Sequence, residues 1–220
     1  MKCAFCQSEL NSRDRVCKAC GTPVTINPTR EDLFFSRLSA NAPAGYVLKA
    51  RSAPYLEKER RIVTAIMFMI ANVDQINQEI PGDERSAILN QALDRFANII
   101  FQYEGTIAKL WEHTVLAFFG APITHEDDPL RAVHAASAIL DDVQSYSEDI
   151  QSKYGVPLQL HMVINTGPIL IGDIKSNLKF TFRSLDNTLE CMDFALMGII
   201  PRCEVILFED TYRFIKPFVD

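Results

Sequence analysis

Four cysteines open the chain with a spacing that has one main chemical use. Cys3 and Cys6 form one C-x-x-C pair, Cys17 and Cys20 a second, with ten residues between the pairs. Each pair suits a tight turn that points two sulfurs at one centre, and two such turns supply the four thiolates of a tetrahedral zinc site. Gly21 after the second pair and Gln7-Ser8 after the first give the backbone the freedom those turns need. A disulfide or redox pairing is the competing reading. A four-sulfur site has no vacant position, so one structural zinc per chain is expected, with no catalytic role. So short a stretch cannot build a core, which couples its folding to the metal. The second stretch suited to chemistry is KLWEHTVLAFFGAP, Lys109 to Pro122. It reads as a strand, a polar corner at Glu112-His113, and a second, apolar strand from Val115 to Phe119. Such a corner can hold a reactive group, and the group it holds is His113.

The elements around that hairpin follow from periodicity. Ile62 to Ile70 (IVTAIMFMI) is an unbroken apolar run that fits a strand buried on both faces. Pro81-Gly82-Asp83 starts a helix whose apolar positions, Ile88 through Tyr103, keep the helical period to a stop at Gly105. Asp128-Pro129 starts a second helix, with Asp128 as N-cap, running to Gly155. Pro157–Asn165 and Pro168–Ile174 read as a strand pair turning at Thr166-Gly167. A helix over Asp186–Met197, a strand over Glu204–Phe208 and a short helix over Asp210–Ile215 follow. Strand, helix, hairpin, helix, hairpin, helix, strand is an α+β sandwich with a mostly antiparallel sheet. The expected division is 1–25 for the zinc module, 26–57 for a proline-punctuated linker with short helices, and 58–220 for the main domain.

Composition narrows the function. Of the 220 residues, 48% are apolar and 23% charged, ordinary for a globular protein. The net charge of -6 is uneven. Residues 1–60 hold ten Lys/Arg against six Asp/Glu, and residues 61–220 hold twelve against twenty-two. An acidic body of that size is a poor nonspecific partner for nucleic acid. No run reaches the roughly 18 apolar residues of a membrane helix. MKCAFCQ lacks a signal-peptide core, so a cytoplasmic protein is expected.

Three segments in register resemble a family. AFFGAPITHEDDPLRAVHAASAI (Ala117–Ile139), INTGPILIGDI (Ile164–Ile174) and FEDTYR (Phe208–Arg213) look like the class III nucleotide cyclase homology domain, over about Arg61 to Tyr212. The lead-in ending in KERR is similar to the stretch that precedes the first strand in bacterial members. The cysteine module resembles the zinc ribbons that open many bacterial multidomain signalling proteins. The resemblance implies a ferredoxin-like cyclase fold and a head-to-tail dimer, either a homodimer or a heterodimer with another cyclase-fold chain. It also implies composite sites in which two aspartates hold two divalent ions, and an asparagine and an arginine come from the other chain.

Carried over residue by residue, the family's chemistry breaks. Against a first strand like VTVLFADI, Val63–Ile70 reads VTAIMFMI, so Met69 stands at the first metal aspartate. Against KFIGD, Lys109–His113 reads KLWEH, so His113 stands at the second. A thioether does not hold magnesium and a lone imidazole holds it poorly. Against IGDTVNLAAR, Leu185–Phe194 reads LDNTLECMDF, which puts Glu190 at the asparagine and Phe194 at the arginine. Of two base-contacting positions, Lys109 matches adenylate-selective members and Arg183 does not.

The expected function is therefore a catalytically degenerate cyclase-like domain, acting as a regulatory, dimerisation or nucleotide-sensing module, without magnesium or manganese. The alternatives are a weak or altered adenylate cyclase making cyclic AMP and pyrophosphate from ATP, and a zinc-ribbon nucleic-acid binder. The chain stops at Asp220, before the family's last strands, so a longer multidomain protein is also expected. Remaining polar groups have plain readings. His125 belongs to a polar loop, His134 and His161 sit singly, Cys191 and Cys203 are core thiols, and Glu126, Asp127 and Asp128 suit a helix start.

Overall fold

A computed structural model describes residues 40–52, 59–174, 180–198 and 205–218, with positions 3, 8–11, 14, 16–19, 24, 33 and 38 ahead of them. A short helix α1 (Ala44–Ser52) leads in. It is followed by β1 (Glu59–Ile70), α2 (Val73–Glu79) and α3 (Gly82–Gln102). The hairpin β2 (Thr106–Trp111) and β3 (Thr114–Phe119) precedes α4 (Asp128–Tyr154). Then come β4 (Leu160–Ile174), β5 (Phe180–Ser184), α5 (Thr188–Gly198), β6 (Val205–Leu207) and α6 (Glu209–Ile215).

The sheet runs β2-β3-β1-β4-β5, all antiparallel, and β6 adds a parallel pairing to β4. β1 is central and its alternation sorts the core. Ile66, Phe68 and Ile70 face α3 and α4, together with Ile88, Leu93, Phe96 and Ile139. Val63, Ala65 and Met67 face the other way, with Leu116, Phe118, Val163 and the α5 residues Met192, Ala195 and Leu196. The two long helices thus share one face and α5 adds a smaller layer on the other. Arg95 of α3 grips Asp142 of α4 through Nε at 2.8 Å and Nη2 at 2.6 Å, a two-pronged pair that fixes the helices against each other. Buried threonines tie the sheet to α6: Thr64 to Thr166 and Thr166 to Thr211, each 2.9 Å between hydroxyls. Among the described residues no helix is long and apolar enough to cross a membrane.

The helix ends and the first hairpin match the sequence reading, with three corrections. Pro157–Ile174 does not turn at Thr166-Gly167, because β4 runs straight through as one strand paired along β1. Gly167 is there for close approach: a Cβ would collide with the Thr188 side chain. The second hairpin is instead β4–β5, with β5 unanticipated. Asp128 is not an N-cap but lies inside the first turn of α4, where it accepts a hydrogen bond from the His125 backbone N–H at 2.8 Å. Of the short helix that the sequence suggests over Arg30–Leu38, only Leu33 and Leu38 are described, both helical; Cys6, Cys20 and Cys203 lie outside the described residues.

Gly105 gives a test of the packing. A Cβ there would stand 2.6 Å from the Phe119 ring and 2.9 Å from Ile100, in a core where both are fully buried. We predict that Gly105→Ala costs about 1–3 kcal/mol through overpacking, seen as a lowered midpoint in thermal or urea unfolding. An unchanged midpoint would show that Phe119 and Ile100 make room for the added methyl.

Candidate functional site

The site is built on strand register. In the hairpin Trp111 pairs with Thr114, Thr114 pairs with Met69 on β1, and Met69 pairs with His161 on β4. Directly opposed residues share a face. Trp111, Thr114, Met69 and His161 therefore form one row across four strands, on the α5 side of the sheet. The row contains a thioether, an imidazole, a hydroxyl and an indole, and no carboxylate. Lys109 sits two residues before Trp111 on the same face, its ammonium 5.2 Å from the centre of the indole ring, a cation–π contact. Half-buried His113 occupies the turn at the end of the row, and its carbonyl accepts a hydrogen bond from the Ile70 N–H at 3.2 Å. Glu112 makes the turn with a left-handed φ of 50° and is exposed.

His161 has a buried Nδ1 with no hydrogen-bond partner among the described residues. Burial holds its pKa below the ordinary imidazole value, so at neutral pH the ring is uncharged. Neither His161 nor its neighbours Trp111 and Thr114 stood out in the sequence. The signal that groups them is β1–β4 and β1–β3 register, which a single sequence does not carry.

Glu190 and Phe194 sit elsewhere, on α5. That helix starts at Thr188, whose N–H donates to the Asp186 carboxylate at 2.8 Å and whose hydroxyl bonds the same oxygen. Asn165 of β4 donates to the Thr188 carbonyl and to Cys191 Sγ, both at 3.2 Å. Burial raises the Cys191 thiol pKa, consistent with a packing role. Met192, Ala195 and Leu196 face the sheet, which leaves Glu190 exposed and Phe194 and Met197 at 73% and 78% exposure. Glu190, Asp193, Phe194 and Met197 are the side chains that α5 offers outward. Arg183 does not join Lys109. Its neighbour Phe182 packs edge-on against Phe118 at 5.0 Å, and strand alternation turns Arg183 to the other face, exposed. The sheet thus puts Met69 on the same face as Lys109, with His113 in the adjoining turn, while Arg183 lies on the other face and Glu190 and Phe194 are exposed on α5.

At the N-terminus Cys3 and Cys17 are buried, at 2% and 1% exposure, in a small cluster with Leu10 and Val24. The Cys3 N–H donates to the Ser8 carbonyl at 2.9 Å. One cysteine from each C-x-x-C pair lies in this cluster, and the other two lie outside the described residues.

No protein-family model matches the chain. The chain is 22% identical over 130 residues to "Adenylate cyclase 1" of Rhizobium meliloti (strain 1021), a match covering 59% of this chain and 19% of that protein. It thus spans about a fifth of that relative's length. Among solved structures it superposes on the adenylyl cyclase CyaB from P. aeruginosa with a TM-score of 0.67, at 23% identity, over 75% of this chain and 85% of that one. The guanylyl cyclase Cya2 gives 0.62, at 21% identity over 72% and 80%. The non-canonical dimeric guanylyl cyclase domain of the RhoGC fusion protein from Blastocladiella emersonii gives 0.63, at 19% identity over 72% and 86%. The chain has the fold of the class III cyclase homology domain.

The neutral His161 sets a pH dependence. A folded-state pKa held below the unfolded value means that the unfolded chain binds the proton first. Its contribution to stability is full above the unfolded value and is lost as pH falls through and below it. We predict that His161→Phe loses less unfolding midpoint than the parent between about pH 7.5 and about pH 5.5, measured by thermal denaturation. Equal losses would rule out His161 as the titrating group.

Proposed function

We propose that this chain is a cyclase-fold regulatory module that does not turn over nucleotide and acts through dimerisation and its cleft. The observation that supports it best is the row Trp111–Thr114–Met69–His161, capped by His113. Magnesium wants hard oxygen ligands, and no residue in this row offers a carboxylate. The residues present do not fit the two-ion site of an active cyclase. Phe194 on the outward side of α5 supplies no charge for a partner's reacting phosphorus either. Losing ion and cation together removes two contributions that are each worth several kcal/mol of barrier.

Exposed Phe194 and Met197 support a second copy, or another cyclase-fold chain, as partner. The dimeric guanylyl cyclase domain among the structural neighbours supports the same reading. The four cysteines hold one structural zinc, so the N-terminal module is a ribbon ahead of the cyclase-like domain. We place the protein in the cytoplasm. A second reading, an altered adenylate cyclase, is favoured by Lys109 on the site face and by the adenylate cyclase relative. Nucleic-acid binding by the ribbon is disfavoured by the acidic body.

Two measurements test this. Incubated with ATP or GTP and manganese, the purified protein should form no cyclic nucleotide or pyrophosphate above a protein-free control. Product that disappears in His113→Ala would establish the enzyme reading instead. Metal analysis should give one zinc per chain, lost in a Cys3→Ser, Cys17→Ser double variant. A zinc-free protein with intact thiols would remove the ribbon.

A further inference from the structure

Among the described residues, the lead-in helix α1 docks on the body of the protein through Tyr46 and Val47. Tyr46 is its anchor, 4% exposed. Its ring lies 4.8 Å from that of Phe101, and its hydroxyl bonds the Thr106 hydroxyl. Burial pushes the Tyr46 phenol pKa well above its usual range, so it stays a neutral partner. One turn on, Lys49 pairs with Glu104, while Leu48 is 68% exposed. Nine residues are too few for a helix to hold without docking. Gly45 weakens this one further, having nothing within 4 Å of where a Cβ would be.

Glu104 is a junction. It has a left-handed φ of 61°, an unfavourable conformation for a residue with a side chain. One carboxylate oxygen takes Lys49 of α1. The other takes His125 Nε2 at 2.7 Å and has Arg131 of α4 at 3.9 Å. His125 is also fixed from its other side, by Asp128 Oδ1 at 3.4 Å from Nδ1, and Arg131 by Asp127 at 2.8 Å. The same loop between β3 and α4 is held a second time from the start of β1. The Arg61 guanidinium donates to the carbonyls of Gly120 and Pro122, at 3.3 and 3.2 Å, and to the Thr124 hydroxyl at 2.9 Å. Loop 120–127 is thus held at two points: by α1 through Glu104, and by β1 directly through Arg61.

We infer that α1 is a displaceable strap whose docking is reported to the β3–α4 loop through the shared Glu104 carboxylate. Releasing Lys49 frees one Glu104 oxygen and loosens the hold on His125. Displacement of α1 therefore alters the loop without any change in the sheet. This inference uses the fold and is independent of whether the site is active.

Hydrogen–deuterium exchange on the full chain tests it, with Lys49→Ala to weaken docking and Gly45→Ala to strengthen it. Gly45→Ala should slow exchange about fivefold in residues 40–52, the factor implied by helix propensity. It should slow loop 120–127 in the same direction, while Lys49→Ala should speed both. Both variants should retain the parent's protection in β1 and β4. Response in residues 40–52 with loop 120–127 unchanged would overturn the coupling, and no response in either segment would overturn the strap.

Discussion

Every residue of β1, from Glu59 to Ile70, has a partner on β4, and half of the strand is paired to β3 as well. This ladder is the constraint on which the rest depends. Side chains alternate, so sliding β1 by one residue would turn Phe68 and Ile66 toward α5 and Val63 and Met67 toward the long helices. Both cores would be lost together. The ladder therefore fixes the position of Met69, beside Thr114 and opposite His161, whatever residue stands there.

That separation of scaffold from chemistry is what the proposed function requires, since it would let the fold persist whatever residues stand at the site. The two cores are made of apolar groups that do not involve the metal positions. Two carboxylates close together repel and resist desolvation. A thioether and an imidazole at these positions carry no such cost and leave the strands in place. The same holds for α5: Met192, Ala195 and Leu196 seat it on the sheet, and its outward residues are free to change. Phe194 and Met197 carry no charge for phosphate and suit an apolar contact.

Much of this was legible in the sequence where local pattern decides structure. The apolar run of β1, the hairpin around Glu112-His113, and the two long helices with their stops at Gly105 and Gly155 all rest on periodicity and capping. What failed rests on contacts distant in sequence. Thr166-Gly167 has turn chemistry, yet the β1 ladder keeps it extended and Thr188 uses the missing side chain. The row that joins Trp111 to His161 is assembled by register alone. His125 read as a loop residue, and its role between Glu104 and Asp128 depends on three segments meeting. The docking of α1 needed Tyr46 to find Phe101 and Thr106, which composition does not announce.

The central claim is that the metal end of the cleft is gone. Manganese electron paramagnetic resonance, with a slowly hydrolysed ATP analogue and zinc-saturated protein, measures it directly. The account predicts that adding protein removes no free manganese signal beyond what the nucleotide alone binds. A saturable loss of signal in the parent protein, abolished by His113→Ala, would contradict it.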